Sequence, residues 1–409
     1  MTNLPEDFEI LNLPEPLAKA ILDLGFQSTT PVQKEVLPFS LDGSDIIAQA
    51  QTGTGKTAAF LISIIAYDLE NPSFDSRPPG TPFSLIIAPT RELVLQISKD
   101  AHELAKYTDI GVAALVGGID YEKQKSQLKK PVGIVVATPG RLLDFARSGY
   151  IDLSDVEIMI IDEADRMLSM GFIPDVKAIV SRTPKKHQRQ TQLFSATYSE
   201  DIKRLAASWT LDPVRIEIEP QQIAVDTVEQ KVFLTSEEEK YKVLYNIIKY
   251  YEIDRVLVFA NRRDQSRDLE SKLRRHGFKT GLLAGDVPQK KRISTLEKFR
   301  SGEIEILVAT DVAGRGLHID DISHVINYNL PEDPEDYVHR IGRTGRAGSE
   351  GISITLACES DAFMLPNIEE LLGTKLACEH PIAELTADIP ALPPGKPSEA
   401  PRQRNRRRR

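Results

Sequence analysis

Short apolar runs recur along the chain, each closed by Gly, Thr, Pro or Asp and followed by a helical pattern. In the first half they are Asp45-Ile46-Ile47-Ala48, Ser84 to Ala88, Gly133 to Ala137, Ile158-Met159-Ile160-Ile161 and Gln192-Leu193-Phe194-Ser195. The second half starts afresh with Arg255 to Ala260, then Ile304 to Ala309, His324 to Tyr328 and Gly351 to Leu356. Runs without polar alternation are strands buried on both faces, and their alternation with helices predicts parallel sheets. Two such sets predict two α/β domains of similar size.

The break falls near residues 212–230, where Asp212-Pro213 ends a helical pattern and Glu217, Glu219, Pro220, Gln221 and Gln222 follow. Only the first half has a glycine-rich loop, so the halves are related folds with unequal roles. After about residue 380 the pattern stops, and Pro390, Pro393, Pro394, Pro397 and Pro401 crowd together, which predicts disorder.

Composition narrows the class. A chain of 409 residues with 41% hydrophobic and 27% charged residues fits a soluble protein of two or three domains. No apolar stretch approaches the ~20 residues that span a bilayer. The start, Met1-Thr2-Asn3-Leu4-Pro5, lacks the basic and apolar regions of a secretory signal. Cys358 and Cys378 have no metal-ligand spacing, so the expected setting is reducing and cytoplasmic. A net charge of −9 argues against a nucleic-acid binder, but six arginines in Arg402 to Arg409 form a tail suited to a phosphate backbone.

Two motifs carry chemistry. Ala50-Gln51-Thr52-Gly53-Thr54-Gly55-Lys56-Thr57 follows a strand and precedes a helix, the context of a phosphate-binding loop. Backbone N–H groups would wrap the phosphates, Lys56 would reach the β- and γ-phosphates and the Thr57 hydroxyl would ligate Mg²⁺. Ala50 stands where the usual pattern has its first glycine. The run Ile158 to Ile161 then ends in Asp162-Glu163-Ala164-Asp165. Asp162 would hold Mg²⁺, directly or through water, and Glu163 would polarise the attacking water. ATP and Mg²⁺ are the cofactors this pair predicts.

Over about residues 8 to 365 the chain resembles the DEAD-box RNA helicases of superfamily 2, most closely the branch at work in the bacterial RNA degradosome. The residues that carry the likeness to that branch are Leu283-Ala284-Gly285-Asp286, Arg315-Gly316-Leu317-His318-Ile319, Glu335-Asp336-Tyr337-Val338-His339 and the arginine tail. The resemblance implies two tandem RecA-like domains, 1–217 and 229–380, joined by a linker at 218–228, with a disordered basic tail at 381–409. Gly25 to Gln33 looks like the adenine-reading Q motif, with Phe8 as its upstream aromatic. Gln33 would bond the adenine edges and Phe26 would stack on the base, and an amide does carry both the donor and the acceptor that adenine needs. Arg315 would complete the nucleotide contacts, with His318 standing where many members have a ribose-binding Asp.

The same resemblance makes Ser195-Ala196-Thr197 the element that couples nucleotide to RNA, through hydroxyls bonded to Asp165. In His339-Arg340-Ile341-Gly342-Arg343-Thr344-Gly345-Arg346, Arg343 and Arg346 would stabilise the phosphoryl group and His339 would meet Asp165. Hydrolysis would then require the two domains to close, and closure would bend one RNA strand and open a few base pairs. Sequence-independent RNA contacts are implied at Pro89, Thr90, Arg91, Gly117, Gly118, Thr138, Gly140 and Arg141, and at Asn261, Arg262, Gln289, Arg292, Thr310 and Asp311. An endoribonuclease resembling RNase E is implied as a partner. A DNA helicase is one alternative, separable by ATPase stimulation with RNA against single-stranded DNA, and an RNA clamp or scaffold is the other, favoured by weak unwinding unless a partner is present.

Overall fold

Each apolar run does form a strand, and residues that alternate along it face opposite cores. In β5 (Ile158–Ile161), Ile158 and Ile160 join one apolar cluster while Met159 and Ile161 join another, which is why the run has no polar position. The structure, a computed structural model, describes residues 4–51, 53–72, 77–218, 228–311, 322–345 and 351–393. Expected site residues Thr52, Arg315 and Arg346, with His318, the segment 219–227 and the arginine tail from 394, lie outside these.

The described residues form two compact units, one up to residue 218 and one from 228 onward. The first holds β1 (Ile46–Gln49), β2 (Ser84–Ile87), β3 (Val112–Leu115), β4 (Ile134–Ala137), β5, β6 (Gln190–Ser195) and β7 (Val214–Glu217). The second holds β8 (Val228–Leu234), β9 (Val256–Phe259), β10 (Thr280–Leu283), β11 (Ile306–Ala309), β12 (His324–Asn327), β13 (Gly351–Ala357) and β14 (Cys378–Glu379). Each set is one seven-stranded sheet, ordered β3-β4-β2-β5-β6-β1-β7 and β10-β11-β9-β12-β13-β8-β14. Every pairing is parallel. Position by position, the two orders coincide. These are the tandem parallel-sheet units the resemblance implies.

The apolar pattern missed β3, β7, β8, β10 and β14. Four of these are the sheet edges, and β8 is next to one. β3 and β10 bury only alternate residues, and β7 buries Ile216 alone. An edge strand touches less of the core, so its sequence need not be apolar throughout. β7 and the start of β8 therefore lie inside the stretch read as a polar break at 212–230.

Order also runs further toward the C-terminus than residue 380. Residues 381–393 form a strap on the second unit, with Leu385 fully buried in its core beside Ile247 and Ile354. The Asn246 side chain donates to the carbonyls of Leu385 and Ala387, and Arg275 donates to that of Pro393. The expectation of disorder from 381 is thus corrected for these residues: one leucine and four backbone carbonyls, the fourth that of Pro390 at His276, hold a proline-rich segment in place.

Helices open in the same way after β1 and after β8. Lys56 begins the helix Lys56–Glu70 and Lys240 begins the helix Lys240–Tyr250. Lys240 is wholly buried and its ammonium is 2.7 Å from a carboxylate oxygen of Asp361. Among the described residues no helix is long and apolar enough to cross a membrane.

Candidate nucleotide and RNA site

The expected site residues of the first unit collect at one end of its sheet, where the strands deliver their C-termini. In a parallel sheet this edge is where ligands bind, because loops and helix N-termini converge there. The strand order divides it. The residues expected at the nucleotide follow β5, β6 and β1, and those expected at RNA follow β3, β4 and β2.

After β1, the Ala50 N–H donates to the Ser195 carbonyl at 2.9 Å, which pins the loop to β6. Gly53 and Gly55 have φ of 88° and 94°, a region open to glycine at little strain. At Gly55 a Cβ would stand 2.6 Å from Gln33 Nε2 and 2.7 Å from Thr30 Oγ1, so glycine is required twice over. Thr54 Oγ1 donates to the Gln51 carbonyl and Lys56 Nζ to the Ala50 carbonyl, both at 2.8 Å. The fifteen-residue helix Lys56–Glu70 has no side-chain cap. Its first N–H groups are thereby left for an anion, favoured further by the helix dipole. Thr57 is half-buried in the first turn.

Gln33 sits against this loop. It closes a capping box with Thr30, its Oε1 accepting from the Thr30 N–H at 3.0 Å, and its Nε2 donates to the Gly55 carbonyl at 3.2 Å. The amide expected to read adenine therefore also fastens the phosphate loop, with one N–H and one lone pair to spare. Phe8 is fully buried, its ring stacked 5.9 Å from that of Phe26. Phe8 has no exposed surface of its own and packs against the half-buried Phe26.

Asp162 and Glu163 end β5 as buried carboxylates, and the Glu163 N–H donates to Asp162 Oδ1 at 2.9 Å. Burial pushes the Asp162 pKa up to about 6, against the pull of the Lys56 charge and with a further push from Glu163. A cation beside it would remove that penalty. Among the described residues no group of three or more His, Cys, Asp and Glu could hold a metal alone. Mg²⁺ needs no such cage when phosphates and waters complete its shell, so Thr57 and Asp162 fit it.

Glu163 has φ of 51°, a conformation strained for a side-chain-bearing residue. Its carboxylate accepts from Arg166 Nη1 at 2.8 Å, a buried pair that reading the sequence missed. The helical spacing of three between them was the available clue. Asp165 meets the next strand: its N–H donates to Ser195 Oγ at 3.2 Å and its carboxylate accepts from the Ala196 N–H at 3.3 Å. Ser195 thus bonds Asp165 as expected, whereas Thr197 makes no hydrogen bond to it.

On the other half of the edge, Thr90 caps the helix Arg91–Leu104 by accepting from the Leu93 N–H. Arg91 packs against Gly117, where an added Cβ would stand 3.1 Å from its guanidinium. Gly118 has φ of 75°. Thr138 precedes the helix Pro139–Arg147 without capping it, and Gly140 in its first turn faces open space. Arg141 lies over the rings of Tyr121 and Phe145. Pro89 leads into the Thr90 cap.

The second unit repeats the division: Asn261 and Arg262 follow β9, Gln289 and Arg292 follow β10, Thr310 and Asp311 follow β11, and the arginine motif follows β12. Arg262 is exposed and pairs with Asp264. Gln289, Arg292 and Thr310 are buried. Arg343 is buried and its Nε donates to the His339 carbonyl, while His339 Nδ1 is 3.7 Å from Asp336.

Asn261 and Asp311 depart from expectation. Both turn inward to Arg340, whose side chain is 1% exposed. Its Nε and Nη2 donate to the two Asp311 oxygens at 2.6 and 2.7 Å. Nη2 also donates to Asn261 Oδ1 and Nη1 to the Asn329 carbonyl, each at 2.7 Å, over the Phe259 ring. The two side chains thereby brace the loops after β9, β11 and β12. Arg340 was missed as a functional residue because its motif drew attention to Arg343.

A comparison of sequences decides the family. Residues 30–205 match the DEAD/DEAH box helicase family and residues 239–348 the helicase conserved C-terminal domain. The chain belongs to the DEAD/DEAH box helicases. It is 58% identical over 384 residues to the ATP-dependent RNA helicase RhlB of Pseudomonas aeruginosa, covering 94% of this chain and 97% of that one. The DEAD-box fold is shared with Dbp5 of S. cerevisiae bound to RNA and ADP BeF3, with a TM-score of 0.81, 29% identity and coverage of 91% and 96%. Mss116p bound to ssRNA and AMP-PNP is similar at a TM-score of 0.81 and 30% identity, covering 92% of this chain and 79% of that one.

Proposed function

We propose that the chain is an RNA-dependent ATPase that locally separates short RNA duplexes, driven by ATP- and RNA-dependent closure of its two units. One observation carries the reading. The residues expected to bind nucleotide and those expected to bind RNA fall on adjacent halves of a single sheet edge, with the tetrad between them after β5.

The uncapped helix and the glycine loop bind phosphates, with Lys56 swinging from the Ala50 carbonyl to the β- and γ-phosphates. Thr57 and Asp162 would hold Mg²⁺, which supplies charge neutralisation on the phosphates. Glu163, fixed by Arg166, accepts the proton of the attacking water. Gln33 and Phe26 favour adenine. Arg343, with Arg346, faces the charge that develops on the transferred phosphoryl group. Asp165, through Ser195 and Ala196, passes the nucleotide state to the RNA half, with His339 as its proposed partner on the second unit. Contacts to phosphates make binding sequence-independent, and 2′-OH contacts favour RNA over DNA.

The RhlB likeness supports a cytoplasmic role in RNA degradation beside an RNase E-like endoribonuclease. Pull-down of the full chain with such a ribonuclease checks the partner. ATP hydrolysis measured with RNA and with single-stranded DNA checks the activity. Stimulation by RNA alone is expected, and Glu163→Gln should abolish it. Equal stimulation by DNA, or an active Glu163→Gln protein, overturns the assignment.

A further inference from the structure

Between the helices Arg263–Arg275 and Gln289–Arg300 the second unit has a cavity of about 650 Å³. Its floor is the edge strand β10, which among the described residues pairs only with β11. Carbonyls of Lys279 and Leu283 accept from N–H groups at and beside β11. Backbone groups alternate in direction along a strand, so those of Thr280 and Leu282, both on the cavity wall, point away from the sheet.

Both walls repeat one pattern. Arg267, Ser271 and Arg274 line one side, and Lys291, Ser294 and Lys298 the other. Spacings of three and four put each triple on one helix face, with its cations about 10 Å apart along the axis. Each wall thus presents cation, hydroxyl, cation. Lysines alone would be explained as guards that keep foreign strands off an open edge. Hydroxyls placed between cations on both walls go beyond a guard, because they donate to an anion.

Carboxylates are near: Asp286 pairs with Arg267, Glu270 with Arg274, Glu303 with Lys298 and Glu305 with Lys279. The Arg267, Arg274 and Lys298 side chains are 52%, 64% and 46% exposed. Exposed pairs contribute at most about 1 kcal/mol each, so phosphate oxygens can take over Arg267 and Lys298 at little cost, whereas Arg274 faces the buried Glu270, which also accepts from the Thr280 hydroxyl. The apolar lining is confined to Phe278, Leu282 and Ile304, which offers few pockets for the side chains of a bound peptide.

The geometry points to a groove for the phosphate backbone of a single RNA strand, prolonging the RNA path beyond the loops of the second unit. The inference rests on the helicase reading above, because Gln289 and Arg292 in the first turn of the same helix are proposed RNA contacts. Lys291, Ser294 and Lys298 lie on the exposed face of that helix, and Gln289 and Arg292 on its buried face. A strand long enough to leave the loops enters the groove, and a short one does not.

The test compares the full chain with the triple variant Arg274→Gln, Lys291→Gln, Lys298→Gln on RNA strands of roughly 6 and roughly 20 nucleotides. Loss of three phosphate contacts should flatten the salt dependence of long-strand affinity by about 2 in log–log slope. Between about 50 and 200 mM salt the variant should therefore lose roughly 16-fold less affinity than the parent. The short strand should bind both proteins alike and stimulate the same ATP hydrolysis, which shows that the variant is folded. A parental slope on the long strand, or equal weakening of both strands, overturns the groove. A parental slope combined with lost binding of polyglutamate overturns it in favour of an acidic peptide. If the parent shows no ATPase response to RNA, the helicase reading has failed; if it responds and only the slope is unchanged, the groove alone has failed.

Discussion

Replacing Arg340 by glutamine removes the centre of the second unit's inner network. The guanidinium makes four hydrogen bonds of 2.6 to 2.7 Å, two of them to Asp311. Glutamine is shorter and uncharged, so Asp311 loses its counter-ion and Asn261 its donor. Removing one partner of a buried ion pair destabilises by about 3–5 kcal/mol. The Asp311 side chain is 19% exposed, so water reaches the orphaned carboxylate and the low end, about 3 kcal/mol, applies. For a unit of this size that is a fall in melting temperature of roughly 10 °C. Each unit has its own sheet and apolar clusters, so each should melt as its own cooperative step. The chain's single tryptophan, Trp209, is buried in the first unit. Tryptophan fluorescence therefore follows that unit alone, while calorimetry follows both. Arg340→Gln should lower the second calorimetric transition and leave the Trp209 transition in place. The double variant Arg340→Gln, Asp311→Asn should lose less stability than the sum of the singles. A second transition within about 2 °C of the parent, or a Trp209 transition that moves in step, would refute the reasoning.

Gly55→Ala should weaken binding of a fluorescent ATP analogue by about tenfold or more, since the left-handed backbone disfavours alanine by about 1–2 kcal/mol before the close contact with Gln33 is counted; undiminished affinity argues against it. Asp68 is buried, and burial pushes its pKa up to about 6 against the opposing charge of Arg77. The folded state therefore holds the proton more tightly, so this contribution is complete below about pH 4 and lost as pH rises through about 6. Asp68→Asn should raise the unfolding free energy from urea titration at about pH 8, by up to about 3 kcal/mol, and leave it unchanged at about pH 4; a gain at both pH values would contradict the burial argument. Ending the chain at residue 380 should destabilise the second unit by at least about 2 kcal/mol, because Leu385 leaves its core, whereas ending it at 393 should leave the melting temperature unchanged.

The inner strands and the phosphate loop were legible because burial on both faces forces a continuous apolar run, and the glycines of a phosphate loop stand out by themselves. Edge strands such as Val214–Glu217 escaped for the opposite reason: solvent on one side lets charged residues in. Side-chain direction was not legible at all. Asn261 and Asp311 stand in loops suited to RNA contact, yet a buried arginine some thirty or more positions on takes both. Gln33 likewise has a second task that depends on Gly55, 22 residues away in sequence. The strap at 381–393 was hidden because proline-rich composition reads as disorder, and a single buried leucine changes the outcome.

The coincident strand orders bear on ancestry. Seven strands can be arranged in very many ways, and one chain that repeats the same arrangement is most simply the product of duplication. Lys240 then stands where Lys56 does, each first in the helix after its strand. The glycine loop of one copy corresponds to Thr235-Ser236-Glu237-Glu238-Glu239 in the other, where three carboxylates would repel a phosphate. The inherited ammonium has not gone without an anion: Asp361 holds it at 2.7 Å from within the chain. The ammonium that opens this helix in the second copy is thus already paired within the chain, whereas Lys56 in the first donates to a backbone carbonyl.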